Sequence, residues 1–194
     1  MKRPRIALLV GALVLATAPS VASAVVLDSG TYTWTGAEST QTGRVFRNGV
    51  QATWESPKPY PGTLDAGNQH AHVLFGPINV GSTNFLQITF TNAEGEVNNF
   101  AVGYTTAFDP TDISTNYLGD RGLSGASQIF QVVLAPGANF FLNVERVTLG
   151  PGSGTFSYQV EGFTQPVPEP ATLLLIGTGV AGVARNVWRR RRRV

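Results

Sequence analysis

The chain has 194 residues, enough for one domain of ordinary size, and its lack of cysteine excludes disulfides, zinc–thiolate sites and cysteine nucleophiles. Only 13% of the residues are charged and glycine is abundant, a composition typical of short strands joined by tight turns. Residues 25–165 hold eleven acidic and five basic side chains, although the whole chain has a formal charge of +2. A nucleic-acid-binding domain would concentrate positive charge on its folded part, so nucleic acid is not an expected partner.

Residues 1–24 have the three parts of a secretory signal peptide. Lys2, Arg3 and Arg5 precede an apolar run at residues 6–16, which is too short to span a bilayer. Ala22 and Ala24 form the small-x-small pattern after which signal peptidase cleaves. We therefore expect export across the inner membrane and a mature chain that begins at Val25. The alternative is an uncleaved membrane anchor.

The region at residues 25–165 is predicted to be one β-sandwich module. Apolar residues alternate with polar ones along it, and turn residues recur every eight to twelve positions. The apolar faces are Tyr32 and Trp34; Leu86, Ile88 and Phe90; Phe100, Val102 and Tyr104; Phe130, Val132 and Leu134; Phe140, Leu142 and Val144; and Phe156, Tyr158 and Val160. About eight such strands need two packed sheets to bury their apolar faces, so the pattern predicts an all-β, antiparallel, jelly-roll-like sandwich. Asn48 and Gly49 predict a hairpin between strands at residues 44–47 and 50–54.

Three aromatic residues in the first half of the module are candidates for stacking against sugars. Trp34, Trp54 and Tyr60 would serve this purpose on an exposed sheet face, and the alternative is a place in the core or under the proline-rich segment at residues 57–61. His70 and His72 lie two positions apart on a predicted strand, so both face the same side. A metal site would need further ligands, and a half-exposed pair without metal is the favoured interpretation.

An acidic loop is the candidate calcium site. Asp109, Asp112, Asn116 and Asp120 place four oxygen-bearing side chains in one segment, and Ca²⁺ takes six to eight oxygen ligands. The spacing matches no EF-hand, and Asp and Asn also cap turns by accepting bonds from nearby backbone. Turn capping without any cofactor is therefore the favoured interpretation.

No motif for catalysis stands out from the background. Residues 122–125 are one residue short of a hydrolase elbow, and residues 150–154 lack the lysine and the helix of a phosphate-binding loop. We therefore expect the protein not to be an enzyme, with a hydrolase of unrecognised site as an alternative.

The C-terminal region, residues 166–194, combines three features in a fixed order. Pro168, Glu169 and Pro170 precede fourteen uncharged residues, and Trp188 then adjoins an arginine cluster. That cluster is Arg189, Arg190, Arg191, Arg192 and Arg193. The uncharged run spans a membrane if the Arg185 side chain snorkels and residues 186–188 extend the helix, and the arginines place its end in the cytoplasm by the positive-inside rule. An ordinary tail anchor is the alternative.

This tail resembles the PEP-CTERM family, in which a Pro-Glu-Pro triplet, a short transmembrane helix and terminal arginines form a sorting signal. The resemblance implies recognition by exosortase, a membrane-embedded cysteine transpeptidase that cuts near the triplet. It assigns recognition to Pro168, Glu169 and Pro170, and a stop signal to the arginine cluster. The implied protein is a membrane-anchored precursor that is later found at the cell surface or in the extracellular matrix of a biofilm.

Residues 99–163 are also similar to the pre-peptidase and CUB-like β-sandwiches of secreted bacterial proteins. The similarity is carried by residues 108–110, 116–120, 135–137 and 157–162. Such modules are accessory domains, which implies a non-catalytic structural or adhesive role with exopolysaccharide as a candidate partner. A carbohydrate- or ice-binding module is the alternative. A threonine array would favour ice binding, but threonine does not recur at a fixed interval in this sequence.

Overall fold

The computed structural model describes residues 23–93, 98–150 and 154–166, and its regular structure consists of nine β-strands. The strands are β1 (Val25–Thr33), β2 (Thr40–Val45), β3 (Thr63–Asn79), β4 (Phe85–Asn92), β5 (Asn99–Thr105), β6 (Tyr117–Asp120), β7 (Ser127–Val133), β8 (Asn139–Arg146) and β9 (Thr155–Phe163). In these ranges no helix is long and apolar enough to cross a membrane. The predicted all-β class is confirmed.

The strands form two antiparallel sheets in the order of a jelly roll. One sheet has the order β1-β9-β4-β7, and the other has the order β2-β3-β8-β5-β6. Apart from β2, the strands pair from the outside inwards along the chain, as β1 with β9, β3 with β8, β4 with β7 and β5 with β6. This pairing confirms the jelly-roll-like prediction. β2 is an additional edge strand beside β3.

The main core lies between the two sheets and is formed by the alternating apolar residues. Leu86, Ile88 and Phe90 of β4 are fully buried, as are Phe140 and Leu142 of β8. Burying each such side chain stabilises the fold by about 1.5–3 kcal/mol. The turn at residues 135–138 connects β7 to β8 and leads from one sheet to the other.

β5 is buried on both faces, so its burial does not alternate along the strand. Ala101 belongs to the main core, whereas Phe100, Val102 and Tyr104 belong to a second cluster on the other side of the five-stranded sheet. Two segments cover that side: residues 46–62, between β2 and β3, and residues 106–116, between β5 and β6. We call them the covering loops. Ile113 of the second loop is part of the cluster.

The predicted hairpin around Asn48-Gly49 is wrong. β2 ends at Val45, and its partner is β3, with Val45 opposite Thr63. The turn itself forms, because the Asn48 side chain accepts a bond from the Val50 amide, but its flanks pair elsewhere. The Ala52 amide donates to the Asp120 carbonyl, and the Ala52 carbonyl accepts from the Gln131 amide. Residues 50–54 therefore connect the β6 edge of one sheet to the β7 edge of the other.

Residues Ala24–Pro166 form one compact unit with its own core. Its two ends lie side by side, since Val25 at the start of β1 is opposite Gly162 near the end of β9. The chain therefore enters and leaves the module at the same end of the four-stranded sheet.

Candidate functional site

The predicted processing residues lie almost entirely outside the described residues. This applies to Ala22 of the signal cleavage pattern, to the Pro168–Glu169–Pro170 triplet and to the five arginines from Arg189 to Arg193. Ala24 is described and immediately precedes β1. Cleavage after Ala24 would therefore leave the first strand intact, and the cleavage itself stays a prediction.

Two residues of the predicted calcium loop cap turns in their own segment. Asp109 Oδ1 accepts bonds from the Thr111 amide and hydroxyl, and Asp112 Oδ1 accepts from the Ser114 amide and hydroxyl. These bonds, first among them those from the Thr111 and Ser114 side chains, lower the pKa of both carboxyls. The negative charge on each aspartate is therefore compensated by hydrogen bonds from the residue two positions further along the chain.

The other two residues of that loop have different surroundings. Asn116 has a left-handed backbone with φ of 62°, which asparagine tolerates, and its side chain donates to the Ala107 carbonyl. Asp120 is fully buried at the end of β6. No group of three or more His, Cys, Asp or Glu side chains among the described residues is arranged to hold a metal ion. The geometry favours turn capping, and calcium binding stays a prediction.

Asp120 forms a buried ion pair with Lys58 of the first covering loop. Lys58 Nζ lies 2.5 Å from Asp120 Oδ1, and both side chains are almost completely shielded from solvent. Asp120 also accepts bonds from the Tyr117 hydroxyl and the Gly122 amide. A buried carboxylate with three donors is fully compensated. The pair fastens residues 46–62 to the edge of the five-stranded sheet.

His70 and His72 face the same side of β3, as predicted, but the expectation that they are half-exposed is wrong. His70 is fully buried and His72 is 7% exposed, and Phe108 of the second covering loop packs against the His72 ring. The His70 Nδ1 donates to the Arg146 carbonyl. Burial, opposed by the bond to Asn143, lowers the pKa of His72.

A chain of hydrogen bonds connects His72 to Glu145, a fully buried carboxyl on β8. Gln41 Nε2 donates to the Gly43 carbonyl and to Glu145 Oε2, so its amide oxygen faces Asn143. Asn143 Nδ2 donates to that oxygen, which leaves Asn143 Oδ1 to accept from His72 Nδ1. The backbone carbonyl of Gly43 thereby fixes the direction of every bond and the tautomer of His72.

The surroundings of Glu145 raise the pKa of its carboxyl group well above the ordinary value. Burial raises its pKa to about 8, although the Val45 amide and the Gln41 side chain both donate to it and Arg44 lowers the pKa further. Shifted titratable groups that line a cleft are candidates for catalysis. Glu145 lies beneath the covering loops instead, where it contacts the first residues after the β2 bulge.

The three aromatic residues predicted as sugar-stacking candidates are not exposed on a sheet face. Trp34 belongs to the main core with Arg146 over its ring, and the Trp54 indole donates to the Leu86 carbonyl. Tyr60 is half-buried and packs edge-on against Tyr117. Stacking of sugars on Trp34 or Trp54 is therefore wrong, because both rings are needed for packing.

The segment at residues 122–125, weighed as a hydrolase elbow, is a packing turn. Gly122 has φ of 85°, and a Cβ there would lie 2.5 Å from the backbone nitrogen and oxygen of Val50. Glycine is required because the first covering loop approaches so closely. A shallow depression lined by Leu27, Asp28 and residues 76–79 lies elsewhere and contains neither Glu145 nor Asp120.

Sequence reasoning missed Glu145, which ends the hydrogen-bond chain from His72, and Lys58, which pairs with Asp120. Glu145 follows the apolar residues of β8 at a position where alternation predicts the face opposite to Val144. The one usable signal was the scarcity of charge, because few charged residues interrupt the apolar strands and Glu145 directly follows Val144 in one of them. Lys58, between Pro57 and Pro59, carries no such signal.

Residues 24–166 form a compact β-sandwich, and the sequence continues beyond them to Val194. Residues 166–192 match the family model of the PEP-CTERM protein-sorting motif. The chain therefore carries a PEP-CTERM sorting motif, and the motif implies an exported, membrane-anchored precursor that exosortase processes. No curated protein matches the chain. The similarity of residues 99–163 to pre-peptidase and CUB-like modules is not confirmed.

Proposed function

We propose that the protein is sorted by exosortase to the cell surface and works there as a non-enzymatic structural or adhesive module. The observation that supports this proposal is the burial and hydrogen bonding of the carboxyl and imidazole side chains in the module. Glu145, Asp120 and His72 are buried and hydrogen-bonded, and His70 is buried with its Nδ1 bonded to the Arg146 carbonyl. Groups closed in this way stabilise a fold and have no contact with a substrate.

The architecture supports the same role. A chain without cysteine cannot be reinforced by disulfides outside the cytoplasm, so its stability rests on burial, hydrogen bonds and ion pairs. The Lys58–Asp120 pair fastens the first covering loop to β6, and the Glu145 network joins β2, β3 and β8. A module reinforced in this manner is suited to long residence outside the cell.

Processing in the native host tests the proposal. Glu169→Ala, or deletion of Arg189 to Arg193, is expected to leave an unprocessed form in the membrane fraction. Mass spectrometry of the mature protein locates both ends, which are expected after Ala24 and near Pro168. Glu161→Ala is the matched control, because it removes a carboxylate five residues before the described part ends at residue 166 and should leave processing unchanged.

A mature chain that still ends at Val194 would contradict sorting. Loss of the protein from the cell surface together with a measurable hydrolytic activity of the purified module, abolished by Glu145→Gln, would contradict the non-enzymatic role.

A further inference from the structure

The outer face of the four-stranded sheet carries rows of hydroxyl and amide side chains. In one row Thr31 of β1 is opposite Ser157 of β9, which is opposite Thr91 of β4, which is opposite Ser127 of β7. Residues directly opposite each other in a sheet point to the same side. The residues between them along the strands, such as Phe156, are buried in the core, so this row faces outwards.

A second row lies two residues along the strands. Ser29 is opposite Gln159, which is opposite Thr89, which is opposite Ile129. The strands are about 4.8 Å apart and the two rows about 6.7 Å apart, as in any antiparallel sheet. None of the hydroxyl and amide side chains in these two rows forms a hydrogen bond with another described residue. They are free to bind a ligand.

This face differs in charge from the rest of the module. Strands β1, β9, β4 and β7 are described throughout, and their only charged residues are Asp28 and Glu161. Asp28 already accepts a bond from the Tyr158 hydroxyl. These strands therefore offer no cation of their own to an acidic polymer, although the Arg121 guanidinium donates to the Ser127 carbonyl at the start of β7. The acidic surplus of residues 25–165 repels such a polymer.

We propose that this face binds a neutral polysaccharide whose chain lies across the strands. Serine and threonine hydroxyls and glutamine amides both donate and accept, which matches the hydroxyls of a sugar. Adjacent strands present one side chain about every 4.8 Å, close to the length that one sugar residue adds to an extended chain. Each contact is weak, and a polymer gains affinity by making many at once.

This inference deepens the adhesive role and rests on the proposed function, but its test is independent of sorting. Purified residues 25–166, a compact unit by themselves, are incubated with insoluble cellulose, 1,3-β-glucan, xylan, mannan and starch, and with a polygalacturonate gel. Binding to at least one neutral polymer, and not to polygalacturonate, is expected. Raising NaCl from about 0.1 M to about 1 M shortens the Debye length from about 10 Å to about 3 Å and should leave this binding unchanged.

Variants locate the binding surface. Thr89→Lys and Gln159→Lys on the central strands are expected to weaken binding by about tenfold or more, because each places an uncompensated charge against a neutral ligand. Asn68→Lys adds the same charge to an exposed position of β3 in the other sheet and should leave binding within about twofold. Circular dichroism confirms that all three variants fold.

Four results would overturn the proposal. They are binding to none of the neutral polymers, equal weakening by Asn68→Lys, inhibition of ice growth without polysaccharide binding, and self-association that Thr89→Lys abolishes. Failure of exosortase processing in the host leaves this test unaffected, so the two proposals fail separately.

Discussion

Neutralising Asp120 should destabilise the module far more than neutralising any exposed aspartate. In Asp120→Asn the Lys58 ammonium stays buried without a counter-ion, since both side chains of the pair are shielded from solvent. Breaking a buried pair on one side costs about 3–5 kcal/mol. A domain has only about 5–15 kcal/mol in total, so the melting temperature should fall by about 10 °C or more.

The pair also predicts how a second substitution behaves. Asparagine keeps the shape of aspartate, so it can still accept from the Gly122 amide and donate to the Tyr117 hydroxyl. Once Lys58→Met removes the unpaired charge, Lys58→Met/Asp120→Asn should be less destabilised than the sum of the two single variants. Asp65→Asn is the matched control, because Asp65 pairs with Arg44 at a position that is 44% exposed. Its cost should stay below about 1 kcal/mol.

Urea unfolding of residues 25–166, followed by tryptophan fluorescence and circular dichroism, measures all four proteins. Trp54 is a suitable probe, since it lies in the covering loop that Lys58 fastens. The reasoning is refuted if Asp120→Asn costs no more than Asp65→Asn. It is equally refuted if the effects of Lys58→Met and Asp120→Asn simply add.

The remaining predictions concern protons and metal. Because burial raises the pKa of Glu145 from an ordinary value near 4.5 to about 8, the folded state holds this proton more tightly than the unfolded state. Stability should therefore fall by an amount on the order of 5 kcal/mol as the pH rises from about 4.5 to about 8, and Glu145→Gln should remove that decline in urea melts. His72 has the opposite effect on the free energy of unfolding. Because its pKa is lower in the folded than in the unfolded state, the free energy of unfolding falls as the pH drops below about 6.5. Thermal melts in calcium and in chelator should coincide, with Asp112→Ala giving a small loss in both and Asp120→Ala a large one; a melting increase in calcium that both variants abolish would restore the metal site.

Several properties of this protein follow from short stretches of sequence. The alternation in Leu86, Ile88 and Phe90 predicts a half-buried strand, because side chains in a strand point to opposite faces with period two. The sorting motif could likewise be predicted from the sequence, because its Pro-Glu-Pro triplet, uncharged run and arginines follow one another along the chain. The local turn at Asn48 was also predictable, because the side chain bonds its own backbone.

Contacts between distant parts of the chain decided the rest. His70 and His72 lie on one face of a strand, as the sequence indicates, but the ring of His72 is covered by Phe108, which lies more than thirty residues away in the second covering loop. Asp120 resembles Asp109 and Asp112 in sequence, and only its position at the end of β6, beside Lys58, makes it a buried ion.

The threonine and serine rows show the same limit most clearly. No fixed interval separates Thr31, Thr89 and Thr91 from Ser157 along the chain, and the sequence therefore counted against an ordered array. The jelly-roll order places β1, β9 and β4 side by side although they are far apart in sequence. Period two is a property of one strand, whereas a row across a sheet depends on strand order and register, which only the folded chain determines.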